Sequence, residues 1–74
     1  MTKEECMEAA RRRVRVIATR VNSMDPEQIV LCERIQSVNF TVPKHGKEPC
    51  WVAECVSLIG SCVIDARVED VKLA

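Results

Sequence analysis

His45, Cys50, Cys55 and Cys62 are the side chains here most suited to binding a metal. Structural zinc sites usually draw paired ligands from one turn, two to four residues apart. Here four, four and six residues intervene. In a strand, Cys50 and Cys55 face opposite ways because their offset is odd. In a helix, Cys55 and Cys62 share an apolar stripe. Neither geometry converges the ligands, so no metal and no cofactor is expected. Nucleophilic catalysis by a thiol needs a base beside it. His45 is the sole histidine, in a turn carrying lysine and glycine, with no carboxylate placed to orient it. Seventy-four residues also leave little volume for a cleft, so no enzyme is expected.

Binding offers more. Arg11, Arg12, Arg13, Arg15 and Arg20 crowd the first part of the chain, and Lys44 and Lys47 flank His45-Gly46. Turn amides and two ammonium groups form a small anion-attracting concavity. These seven residues are the candidate interface or anion-binding set. A nucleic acid or nucleotide would be held mainly by charge. The whole chain has a net charge of zero, however. Residues 1–22 hold six Lys/Arg against three Glu, whereas residues 23–74 hold five against eight Asp/Glu. Phe40 and Trp51 are the only aromatics, so a stacking platform for single strands is missing. A protein partner is favoured over a nucleic acid.

These groups need elements to position them. Met7, Ala10, Val14, Ile17 and Val21 recur at helical spacings, and the arginines bracket that seam. Thr2 and Glu5 have the capping-box spacing, and Glu8 can reach Arg11 or Arg12. The pattern predicts an arginine-bearing helix over the first twenty-two residues or so. A strand through Val14, Val16 and Ala18 explains fewer residues. Asp25-Pro26-Glu27-Gln28 is a second helix start, with Leu31, Ile35 and Val38 as its buried stripe and Ile29 misplaced on the far side. That helix would end near Ser37.

Alternation then takes over at Val38, Phe40 and Val42, before a proline-bounded loop over 43–49. A second extended run covers 50–58, and Ile59-Gly60-Ser61 suits a turn. The cleanest alternation is Cys62, Ile64, Ala66 and Val68, with a one-residue slip at Asp70 that suggests a β-bulge. The expected fold is α+β: two N-terminal helices packed on a three-stranded antiparallel sheet, in one domain spanning 1–74. The alternative is an all-α three-helix bundle, since Val52, Cys55, Val56, Ile59, Cys62, Val63 and Ala66 also fit a helical stripe. Gly60 and the β-branched residues weigh against it.

The composition is 47% hydrophobic and 30% charged, which is globular. So short a chain builds a small core and gains from association. In the middle extended run both faces are largely apolar and both need cover. Open sheet edges also invite another chain. The five cysteines are odd in number and read as reduced thiols of a cytoplasmic protein. The charged start resembles no signal peptide, and no apolar run suits a membrane span. The functional expectation is therefore a small regulatory or interaction protein. It self-associates as a dimer or larger homo-oligomer and binds another macromolecule through its arginine-bearing helix and an exposed sheet face. Accessory and inhibitor proteins of phages and mobile elements share this size, an analogy of size alone.

Overall fold

The computed structural model describes residues 1–19, 29–43 and 46–74. Helix α1 (Lys3–Arg12) is followed by β1 (Val16–Thr19), β2 (Ile29–Thr41), β3 (Cys50–Ser57), β4 (Val63–Arg67), a one-turn 3-10 helix (Val68–Asp70) and β5 (Val71–Leu73). The strands form one sheet in the order β4-β3-β2-β1-β5, antiparallel throughout. The expected pair of helices on three strands is thus corrected to one helix on five strands. The three-helix alternative is corrected with it.

Helix α1 begins as its sequence dictates. Thr2 Oγ1 accepts from the Glu5 amide at 3.2 Å, and Glu5 Oε1 accepts from the Thr2 amide at 2.9 Å. It stops far short of Val21. Arg13 turns left-handed (φ 54°, ψ 42°), and its amide turns back to the carbonyls of Ala9 and Ala10. Beyond it, the β-branched Val16, Ile17 and Thr19 suit a pleated surface, and as a strand this segment fully buries Val16 and Ala18. The helix buries Cys6 and Ala9 and leaves Met7 exposed, so its inner face is rotated from the expected seam. The arginine-rich helix is corrected too. Only Arg11 and Arg12 are helical, Arg13 is the cap, Arg15 lies beyond it, and Arg20 is outside the described residues.

The second expected helix is β2 where it is described; its proposed start at Asp25 lies outside the described residues. The reason is specific. Pairing of β2 with β3 slips between Cys32 and Arg34 and again between Ile35 and Ser37. Each slip inserts an extra residue, as a β-bulge does. The inward residues are therefore Cys32, Ile35 and Val38, three apart, which imitates a helical stripe.

At the last strand pair the sheet must curl. Strands β4 and β5 lie on opposite edges, yet only Val68–Asp70 separates them. Five flat strands would put those edges about 19 Å apart. Four residue steps reach no more than about 15 Å. Curling closes the inner face over the helix: Cys6 and Ala9 pack with Val16, Ala18, Cys32, Ile35, Ala53, Cys55, Ala66, Val68 and Val71. The slip expected at Asp70 is this 3-10 turn rather than a bulge. Alanine and cysteine dominate the contact because a helix lying inside so small a sheet has no room for larger side chains.

Candidate interaction surface

The structure scatters the candidate cations. Arg11 is held by Glu8 across a 2.6 Å ion pair on the exposed side of α1. That bond lowers the Glu8 carboxyl below its ordinary value. Arg12 joins Glu4, Glu5 and Glu8 around a depression of about 330 Å³ whose other walls are Met1, Ala9, Val14 and Leu73. The Thr2 hydrogen bonds likewise hold the Glu5 carboxyl low, so this rim keeps its negative charge. Arg13 lies elsewhere, against Arg34, Ile35 and Gln36 of β2. Arg15 is exposed. Lys47 sits beside Glu48, Pro49, Cys50 and Arg67. Arg20 and Lys44 lie outside the described residues, as does His45.

The cysteines divide as well. Cys6, Cys32 and Cys55 are fully buried in the core, while Cys50 is half-buried and Cys62 exposed. Burial pushes the Cys55 thiol up to about 12 and raises those of Cys6 and Cys32. A thiol that resists ionisation is a poor nucleophile and packs as a small apolar group. Among the described residues, no three His, Cys, Asp or Glu side chains are grouped to hold a metal. Among them also, no helix is long and apolar enough to cross a membrane.

What the fold does assemble is an outer sheet face, turned away from α1. Register places Ile17 opposite Leu31 and Thr19 opposite Ile29 on this face. Across the sheet, Val56 stands opposite Val63. Ile29, Leu31 and Val63 are 70%, 41% and 49% exposed, unusually open for large apolar strand residues. Leu58, also exposed, donates its amide to the Leu31 carbonyl at 3.0 Å and extends the apolar part. The other half of the same face is polar. Asn39 donates to Ser37, and Ser37 donates to Glu54 at 2.7 Å. Asp65 stands directly opposite Glu54.

Sequence reasoning put Ile29 on the outward side but missed Leu31 as a surface residue, having assigned it to the buried stripe. The available signal was Ile29 itself, an apolar residue on the polar side of the supposed helix. Comparisons with protein-family models, curated proteins and solved structures return no match for this chain.

Proposed function

We propose that this chain is a small cytoplasmic interaction protein that self-associates, binds a second protein and performs no chemistry of its own. The observation that carries this reading is the apolar half of the outer sheet face, formed by Ile29, Leu31, Leu58 and Val63. Contiguous exposed apolar surface with a polar border is how contact surfaces are commonly built. The half holding Ser37, Asn39, Glu54 and Asp65 supplies that border. The inert, buried thiols of Cys6, Cys32 and Cys55 agree with a reducing compartment.

Anion binding through Arg11, Arg12, Arg13, Arg15 and Lys47 finds less support. Arg11 is neutralised by Glu8, Arg12 shares its depression with three glutamates, and Lys47 neighbours Glu48. A phosphate backbone would meet carboxylates at each of these places.

The test compares the wild-type chain with a Leu31→Lys/Val63→Lys variant, both immobilised, with circular dichroism confirming that the variant is folded. Proteins retained by the wild type and lost from the variant support the reading. An identical set on both chains, or retention on heparin that falls steeply with added salt, overturns it in favour of other surfaces or of an anionic ligand.

A further inference from the structure

We infer that two copies of this chain join edge to edge through β4, with Ala66 on the two-fold axis, so that Asp65 of each copy meets Arg67 of the other. The inference rests on the self-association reading above and says how it happens.

The edge is open. The Ser57 amide donates to the Cys62 carbonyl at 2.7 Å, which fixes the phase of the β3–β4 ladder. Residues of an antiparallel pair alternate between bonding their partner and facing away. Cys62, Ile64 and Ala66 therefore bond β3. Val63, Asp65 and Arg67 turn their amides and carbonyls outward, where another strand can take them.

The opposite edge is not equivalent. On β5 the outward groups belong to Val71 and Leu73, by the same counting from the Ala74 amide, which donates to Arg15. The Val71 carbonyl already accepts from the Met1 amino group at 2.7 Å, and Val68 accepts from the same group at 2.8 Å. A partner strand at β5 meets a capped carbonyl and a short strand. At β4 the paired stretch about Ala66 is also three residues, 65–67, but among the described residues no hydrogen bond caps the Asp65 or Arg67 carbonyl.

Charge selects the register. Centring the axis on Asp65 sets Asp65 against its own copy, and directly opposed like charges destabilise a pair. Centring it on Ala66 pairs Asp65 with Arg67 twice, once on each side of the axis. Those residues then form bonded pairs, because both face outward. The same register answers two features of the single chain. Asp65 faces the Glu54 carboxylate across the β3–β4 ladder. Among the described residues, the Arg67 Nε is buried with no hydrogen-bond partner. An arginine brought to Asp65 relieves the first, and a carboxylate brought to Arg67 compensates the second through the terminal Nη groups of the same guanidinium, since the Nε itself is out of a partner's reach. The Ile29 and Leu31 part of the apolar patch survives assembly, since both lie on β2, two strands in from the joined edge, whereas Val63 lies on β4 itself.

The experiment uses the full chain and needs no unknown ligand. Light scattering should give twice 8.3 kDa for the wild type at high concentration. Asp65→Arg and Arg67→Asp should each weaken the dimer at least about tenfold, because each turns both attractive pairs into repulsive ones. Mixed in equal amounts, the two variants should pair with each other. The Asp65→Arg chain then offers two arginines and the Arg67→Asp chain two aspartates, which restores both contacts. If Arg67→Asp fails to fold, amide exchange on the wild type decides. Raising the concentration should slow exchange at Asp65 and Arg67 at least about tenfold and leave Ile64 and Ala66 unchanged. A wild-type chain that stays at 8.3 kDa sinks self-association and this pairing together. A dimer that ignores the charge swaps, or leaves the Asp65 and Arg67 amides unprotected, overturns this pairing alone.

Discussion

The Lys3 ammonium lies 4.3 Å from the ring centroid of Trp51, fastening the first turn of α1 to the start of β3. Trp51 also stands opposite Phe40 in the sheet, with ring centroids 5.3 Å apart. One cation and two rings thus close the end of the inner face that the small core residues leave open. Lys3→Met keeps most of the side-chain volume and removes the charge. It should cost about 0.5–1 kcal/mol by denaturant unfolding followed through the single indole. An unchanged midpoint would mean that the contact is incidental.

The buried thiols set an alkaline limit on stability. The Cys55 thiol is pushed up to about 12 from a reference value of 9.0, chiefly by burial, and Cys6 and Cys32 are raised for the same first reason. A raised value in the folded chain means that the unfolded chain loses its protons first. The Cys55 contribution is therefore full below about pH 9 and falls as pH rises toward 12, by up to about 1.4 kcal/mol per pH unit, and Cys6 and Cys32 act in the same direction. Thermal melts between about pH 8 and pH 11 should show this decline, and Cys55→Ala should flatten it. Alkylation of the native chain should mark Cys62 first and Cys50 next, sparing the three core thiols until unfolding.

Much of the local structure is legible in the sequence, and the misreadings have a common cause. The Thr2–Glu5 box, the run 50–57 and the alternation 63–67 are each visible in residue type and spacing. The two bulges in β2 are not. They convert a period of two into steps of three at Cys32, Ile35 and Val38, and no glycine or proline marks them. The short β1 is hidden behind a helical seam that its residues satisfy equally well. Its conformation is decided by partners remote in sequence, Cys32 and Leu73 opposite Val16. The candidate cations are legible as residues but not as a set, because the chain reversal at Arg13 disperses them.

Substitution separates the strand from the stripe that imitates a helix. A helix over this segment would bury Leu31 and Ile35 alike. The strand buries Ile35 to 2% exposure and leaves Leu31 at 41%. Ile35→Ala should therefore cost about 2–5 kcal/mol, and Leu31→Ala less than about 1 kcal/mol. Equal large losses in urea titrations would contradict the register of β2.

Of the left-handed residues Arg13, Gly60 and Ser61, the first two bear opposite predictions. Arg13 caps α1 at φ 54° although it carries a side chain, and Gly60 turns the β3–β4 connection at φ 81°. L-residues are strained there by about 1–2 kcal/mol. Arg13→Gly should release that strain and raise stability by up to about 1 kcal/mol, after the extra chain entropy that glycine brings. Gly60→Ala should lower it by about 1 kcal/mol. Among the described residues the added methyl would meet only Cys62 Sγ at 3.8 Å, an ordinary contact, so the loss comes from the backbone. Thermal melts of the two variants should move in opposite directions. Because Gly60 lies in the turn that sets the β4 ladder, Gly60→Ala should also weaken pairing along the open β4 edge more than Arg13→Gly does.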